Sequence, residues 1–381
     1  MRTLNFADDP QFDHVDALTA ADPGGMLRAT ADSGAQIRRA LAAIEADALG
    51  LVAAEGRPRA VIVAGMGGSG ISGDVLAAVC GAGCPVALST LRGYTLPGWV
   101  GPLDLVIAVS CSGRTEETLA IAAEAARRGA RLVGVGTAGS PLHDVVAAAP
   151  RAVFFAVDAE GLMPRASLWL LATPVLLIAD ALGLASVPRS ALERAADILD
   201  ETSVECGPVR PMPDNRAKLL GASLAYSLPM VWGTTPIGAV AAYRMACQLN
   251  ENAKLPVVSG AFPEVNHNQV VALDGAFVGG DNHDIFHDSV NDGPGPMTLR
   301  LVLLRDVEEH VKEAQRADIS QDLAERRGIP VDVVSAIEGH PVVRLASLIG
   351  LVDWASIYAA IALGIDPTPI GPINELKARL R

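Results

Sequence analysis

Between residues 24 and 54 apolar positions recur at helical spacing with charges between them, beginning GGMLRATADSGAQIRRALAAIEADALG, a pattern that predicts an amphipathic helix. The unbroken apolar run Ala60-Val61-Ile62-Val63-Ala64 follows and reads as a buried strand. It empties into the glycine-rich GMGGSGISGD, residues 65–74, and a helix is expected through 73–79. Residues 85–88 predict a second strand and 103–110, LDLVIAVS, a third. In the next segment, CSGRTEETLAIAAEAARRG, Thr115 and Glu116 open a helix. Strands at 132–135 and 152–157 complete an alternation of strand and helix that implies a parallel sheet. The apolar segment 168–179 contains Thr173 and Pro174 and stops at Asp180, too short to span a bilayer, so it reads as a buried helix.

After 168–185 the pattern restarts. A helix near 190–202 leads to the Pro-rich CGPVRPMPDN and a second set of α/β elements, which puts a domain boundary near residue 190. Residues 227–235, SLPMVWGTT, run from strand to glycine turn ahead of the helix AAYRMACQLNENAK, echoing the first turn and pointing to a degenerate internal duplication. Further strands are expected at 270–273, 297–304 and 330–334, and 345–363 is strongly apolar. Nothing beyond the first dozen residues reads as disordered.

Length and composition narrow this picture. A chain of 381 residues favours two domains, because single cores stop growing well below that length. Half the residues are hydrophobic and 19% are charged, with few aromatics, which suits alanine-rich helices packed on valine-rich strands in a soluble α/β protein. A formal net charge of -13 repels a phosphate backbone, so no nucleic-acid partner is expected. A small anionic substrate would need local positive groups. The five cysteines, Cys80, Cys84, Cys111, Cys206 and Cys247, form no C-x-x-C pair, and their odd number argues against a disulfide framework, leaving a reducing cytoplasm as the expectation. The opening MRTLNFADDPQFDHVD is acidic and lacks an apolar core, so neither a secretory signal nor a membrane association is expected.

A strand that empties into a glycine-rich turn usually holds a phosphate. Gly65, Gly67 and Gly70 fit the dinucleotide fingerprint G-x-G-x-x-G, but the second strand is followed by Ser89-Thr90-Leu91-Arg92 and not by the acid that takes the ribose hydroxyls of NAD. Ser, Thr and Arg92 would suit the extra phosphate of NADP. At the next crossover Ser110, Ser112, Gly113 and Thr115 gather hydroxyls and free backbone amides at one helix N-terminus, a nest suited to a compact phosphomonoester. The bland alternative is that Ser and Thr cap this helix, with Glu116 and Glu117 favouring the macrodipole. Two glycine/hydroxyl turns after neighbouring strands favour the phosphate pocket. In DNHDIFHD the residues Asp281, His283, Asp284, His287 and Asp288 include two histidines at i, i+4, the spacing of a helical metal pair. The segment runs into NDGPGP and lacks a distant third histidine, so a polar loop without metal is expected.

SCSGRTEET, residues 110–118, resembles the S-x-S-G-x-T-x-E-T signature of the SIS (sugar isomerase) domain. GMGGSGISGD, GLMPRAS (161–167), QLNENAK (248–254), FPEVNHN (262–268) and INELKARL (373–380) resemble blocks of the bifunctional phosphoglucose/phosphomannose isomerase family within it. The resemblance spans 60–381. It implies an α/β fold of two SIS-type three-layer sandwich domains, each a mostly parallel sheet flanked by helices, 1–190 with the leading helix and 191–381, in subunits that pair as a homodimer. It also implies that Gly68, Ser69, Ser110, Ser112 and Thr115 hold the sugar phosphate and that Arg165 faces the reacting carbons. Glu251 is implied as the base, His267 as the ring-opening histidine and Lys377 as the lysine near ring and base. Cys111 and Arg114 stand where the family often has Tyr and Asn, a departure expected to touch phosphate affinity and not the chemistry.

These residue types fit aldose-ketose isomerisation of a hexose 6-phosphate, which needs a carboxylate to shuttle a proton, a cation to steady an oxyanion and a histidine or lysine at the ring oxygen. No cofactor and no metal are required. Each has a bland reading as well. Glu251 could be a solvated carboxylate, although Asn250 and Asn252 beside it are poor helix formers that hint at a helix end. His267 could be a loop histidine, Arg165 could pair with Asp158 or Glu160, and Lys377 could lie on an exposed helix face. The first expectation is a cytoplasmic, cofactor-free isomerase interconverting glucose 6-phosphate, and mannose 6-phosphate, with fructose 6-phosphate. The alternatives are a non-catalytic sugar-phosphate-binding SIS regulator and, resting on the glycine turn and Arg92 alone, an NADP-dependent reductase.

Overall fold

A computed structural model describes residues 10–159, 161–279 and 297–380, so the cluster from Asp281 to Asp288 and Glu160 lie outside the described residues. The chain divides into two compact units. One comprises Asp32–Asp200 and Gly339–Ala346, and the other the described parts of 1–31, 201–338 and 347–381.

In the first unit five strands, β1 (Ala60–Ala64), β2 (Ala87–Leu91), β3 (Leu105–Ser110), β4 (Arg131–Gly136) and β5 (Val153–Ala156), form one parallel sheet in the order β2-β1-β3-β4-β5. Every residue of β1 and β3 is buried, because helices cover both faces. That is why both read as continuous aliphatic runs without polar alternation. On one face Ile62, Ala64, Val106 and Ala108 pack with Ile121 of the helix Glu116–Arg127 and Leu142 of the helix Pro141–Ala148. The helix Gly68–Cys80 packs against Leu168–Ala181, which also meets Ser33–Ala43.

The second unit holds β6 (Ser227–Gly233), β7 (Val258–Ala261), β8 (Thr298–Arg305) and β9 (Val331–Ser335), all parallel, in the order β7-β6-β8-β9. Position for position this repeats β2-β1-β3-β4, so the echo between the two glycine turns extends to the topology. Trp232, Phe262, Val265, Leu301, Leu303 and Ile329 form its core.

Two expectations are corrected. The single helix expected over 24–54 is three, Met26–Ala31, Ser33–Ala43 and Ala46–Ala54, and the chain is extended at Ile44 and Glu45. A β-branched Ile44 suits that break. The strand expected at 270–273 is part of a 3-10 helix, Gln269–Asp274, and the edge strand beside β6 is VSGA, β7, whose residues are only partly covered. The Gln269 side chain accepts from Trp232 Nε1 at 2.6 Å and donates to the Ser259 carbonyl at 3.0 Å, which fastens this 3-10 helix beside β7. The strongly apolar 345–363 falls in the helix Pro341–Ala362 except for its last residue, which follows the helix end. This helix is long and apolar enough to cross a membrane, but 89% of its apolar window is buried, as in a core helix.

Candidate functional site

In the first unit the chain leaves β1 toward one edge of the sheet and β3 toward the other, which puts the topological switch point between them. Ligands of open parallel sheets bind in the crevice outside the carboxyl ends of such strands. The turns 65–70 and 110–115 lie at those ends.

The first turn is shaped by its glycines. Gly67 has φ 53° and ψ −129°, a conformation that glycine adopts without a side-chain clash, and the helix Gly68–Cys80 starts behind it with no side-chain cap. A Cβ on Gly68 would lie 2.9 Å from the Pro164 carbonyl oxygen and 3.7 Å from the Arg165 Cα. The bare glycine therefore lets the 3-10 turn Pro164–Ala166 rest on the start of the helix. Ser167 Oγ fixes that turn by donating to Pro164 O at 2.8 Å. Arg165, 3% exposed, is thereby placed beside the glycine turn.

The second turn is built from hydroxyls. Thr115 is the N-cap of the helix Glu116–Arg127, yet its side chain does not cap it; Thr115 Oγ1 lies 3.0 Å from Ser110 Oγ instead. The capping explanation for these residues thus loses its main support. Ser69 Oγ accepts from the Cys111 N–H at 3.3 Å, tying the two turns together and leaving the hydroxyl proton to donate elsewhere. Ser112 is exposed, with its Oγ accepting from the Arg114 N–H at 3.3 Å. At Cys111 the thiol is buried against Ser167 Oγ at 3.4 Å. Burial pushes it up from its ordinary range, against the Ser167 hydrogen bond. Arg92, on which an NADP reading rested, is engaged by Asp74.

Gly68, Ser69, Ser110, Ser112, Thr115 and Arg165 are thus gathered in one unit. Glu251, His267 and Lys377 belong to the other and sit on three different elements. Glu251, half-buried, occupies a single π turn, Leu249–Ala253, that continues the helix Thr235–Gln248. Such turns recur at functional sites. Its frame is buried and polar: Arg244 makes a bidentate pair with Asp353 at 2.9 and 2.8 Å, and Asn252 Nδ2 donates to Ser356 Oγ at 2.9 Å. Lys254 follows in the left-handed region, φ 57°. Its ammonium donates to the carbonyls of Glu251, Asn252, Asp366 and Pro367 at 2.9 to 3.4 Å, joining the π turn to the segment before the terminal helix. Sequence reasoning missed Lys254, although the two asparagines beside Glu251 marked a helix end. His267 closes the exposed face of a 3-10 turn, Glu264–His267. Asn266, donating to Ser320 Oγ at 2.8 Å, and Asn268, donating to Glu264 at 2.9 Å, pin its neighbours. Lys377 is exposed on the helix Gly371–Arg379, none of whose residues is buried.

The sequence model of the bacterial phospho-glucose isomerase C-terminal SIS domain matches residues 213–380. A bifunctional phosphoglucose/phosphomannose isomerase of Caldicellulosiruptor bescii is 32% identical over 321 residues, 84% of this chain and 89% of that protein. One of the same name from Aquifex aeolicus is 28% identical over 85% of this chain and 91% of its own length. Among solved structures, the C-terminal domain of glucosamine-fructose-6-phosphate aminotransferase from Francisella tularensis superposes with a TM-score of 0.66, covering 90% of this chain and 98% of that one at 13% identity, a likeness of fold.

Proposed function

The chain belongs to the bifunctional phosphoglucose/phosphomannose isomerase family, and from that premise we propose that it interconverts glucose 6-phosphate and mannose 6-phosphate with fructose 6-phosphate, without cofactor, through an enediolate. The observation that carries the reading is the pair of turns after β1 and β3, where hydroxyls that do not cap their helices meet uncapped helix ends. Helix-end amides and hydroxyls together suit a phosphate group.

We assign the phosphate to Gly68, Ser69, Ser110, Ser112 and Thr115. In the aldose-to-ketose direction His267 takes the proton from the anomeric O1 hydroxyl and returns it to the ring oxygen as the C1–O5 bond breaks and the C1 carbonyl forms. Glu251 then takes the proton from C2 while the C1 carbonyl oxygen gains the electron pair, and Arg165 and Lys377 steady the charge. The hydroxyl proton on O2 passes to O1, and Glu251 delivers its proton to C1 to give the ketose. A positioned acid-base group is worth about 10² to 10⁴ in rate at each such step. We read 1–190 and 191–381 as the two SIS domains of a cytoplasmic homodimer, with a hexose 6-phosphate as its ligand and neither nucleic acid nor membrane as a partner.

The test is a nucleotide-free, EDTA-treated preparation given fructose 6-phosphate, with both aldoses followed. Formation of aldose is expected; binding without turnover would mark a non-catalytic regulator, and dependence on NADP or metal would overturn the chemistry. In Glu251→Gln, which keeps size but cannot accept the proton, isomerisation and solvent exchange of the C2 proton should fall together while binding survives. Wild-type exchange in that variant removes Glu251 as the base.

A further inference from the structure

The glycine turn after β6 shares two backbone features with the one after β1, a hydrogen bond across the turn and a positive φ at its third residue. Gly65-Met66-Gly67-Gly68-Ser69-Gly70 corresponds to Gly233-Thr234-Thr235-Pro236-Ile237-Gly238. The Gly70 N–H donates to Met66 O at 3.3 Å, and the Gly238 N–H to Thr234 O at 2.9 Å. The third residue has φ 53° at Gly67 and φ 55° at Thr235. A β-branched residue is costly there, so Thr235 is held in place by its surroundings. The register also shows what has changed. Pro236 replaces Gly68 and removes an N–H, and Ile237 replaces Ser69 and removes a hydroxyl.

Three of the donors that remain are taken by carboxylates, and the Ile237 N–H by Thr235 Oγ1 at 3.2 Å. The Thr235 N–H donates to Glu313 Oε1 at 2.5 Å, Thr234 Oγ1 to Glu309 Oε1 at 2.6 Å, and Thr235 Oγ1 to Asp306 Oδ2 at 2.9 Å. Thr234 Oγ1 in turn accepts from the Asp306 N–H at 2.9 Å. Glu309, its side chain 9% exposed, is neutralised by Arg305 at 2.6 Å. We infer that the second crossover is a phosphate cradle closed from within: the carboxylates of Glu309 and Glu313 take donors of the second turn, so of the two turns the first alone receives an anion. A phosphate brought to this turn would meet three carboxylates in place of donors, and like charges at contact distance repel. The inference rests on reading the first turn as the phosphate site.

The experiment uses inorganic phosphate as probe, counts sites by equilibrium dialysis and follows thermal unfolding of the full chain. Wild type should bind one phosphate per chain and Ser112→Ala/Thr115→Ala should bind it about 10² to 10⁴ more weakly. In that background Glu309→Ala/Glu313→Ala should lower Tm by about 2 to 8 °C. Phosphate should restore at least half of the loss by filling the vacated turn, while sodium chloride of equal ionic strength should not. If the double glutamate variant does not fold, Glu313→Ala alone leaves the Arg305–Glu309 pair intact and should show the same phosphate-specific recovery in smaller measure. A phosphate bound by Ser112→Ala/Thr115→Ala as tightly as by wild type overturns the closed second turn, as does a glutamate variant that gains no more from phosphate than its parent. Absence of phosphate from wild type overturns the first-turn reading instead, and the glutamate variants still decide the second.

Discussion

Replacing Ser112 and Thr115 with alanine tests the phosphate cradle most directly. On the proposed reading each hydroxyl gives the phosphate one hydrogen bond, and a hydrogen bond to a charged group is worth about 1.5 to 3 kcal/mol. The pair therefore amounts to about 3 to 6 kcal/mol, a rise in KM of about 10² to 10⁴ for every hexose 6-phosphate. Unphosphorylated sugars should hardly notice. A second, separable cost comes from Ser110, 1% exposed, whose Oγ loses the Thr115 Oγ1 partner at 3.0 Å. An unsatisfied buried hydroxyl costs about 1 to 3 kcal/mol of stability, so Thr115→Ala should lower Tm as well. Ser112, exposed and joined through its Oγ to the Arg114 N–H, should lose affinity with little change in Tm. Thr115→Ser keeps the hydroxyl and should recover both readouts. Initial rates of fructose 6-phosphate formation over a range of glucose 6-phosphate, beside thermal melts, separate the two terms. Unchanged KM in a folded double variant would refute the reasoning and remove this turn from the site.

Gly68→Ala should place a Cβ 2.9 Å from Pro164 O and push the Pro164–Ala166 turn, with Arg165, off its seat. Since misplacing a catalytic group by an ångström can cost about 10²-fold, kcat should fall while Gly83→Ala, where a Cβ meets nothing within 4 Å, behaves as wild type. Equal kcat in both variants would dissociate Arg165 from the reaction. At Asp104, burial pushes the carboxyl up, but the Arg59 guanidinium at 2.9 and 2.6 Å and the Gly101 N–H at 2.8 Å more than offset it and hold it below the ordinary range. A carboxyl depressed in the folded state contributes fully above its unfolded pKa and loses that contribution as pH falls through the folded value, so the window lies below about pH 4. Urea midpoints of wild type and Asp104→Asn should therefore differ at pH 7 and converge toward pH 2, and parallel curves would contradict the assignment.

Much of the first sheet was legible because parallel strands buried on both faces leave continuous aliphatic runs, as in Ala60–Ala64 and Leu105–Ser110. The edge strand beside β6 was not. VSGA has no such run, and its place is set by the ladder to β6, with Gln269 bridging Trp232 and Ser259 beside it. The aliphatic 270–273 invited a strand assignment, yet Leu273 is buried while Val271 is exposed, the mark of one face of a short 3-10 helix. The breaks within 24–54 were hidden for a related reason: helical periodicity continues across Ile44 and Glu45 although the backbone there is extended.

The site divides along the same line between local and distant causes. Glycine and hydroxyl spacing at 65–70 and 110–115 reports on its own turn, so those residues could be read from the chain. Arg165 was named through the resemblance of GLMPRAS and not by any local pattern, because its position depends on a missing side chain at Gly68, nearly a hundred residues away in sequence. The second glycine turn carries the strongest version of this argument. Read locally, GTTPIG echoes GMGGSG, and the backbone agrees down to the positive φ at the third residue. What closes it lies 71 to 78 residues on, in Asp306, Glu309 and Glu313, which reach Thr234 and Thr235 only after β8 has paired with β6. Two copies of one strand-turn-helix unit can thus share a backbone and differ in what they bind, because the backbone sets where donors point and distant side chains decide whether those donors are free.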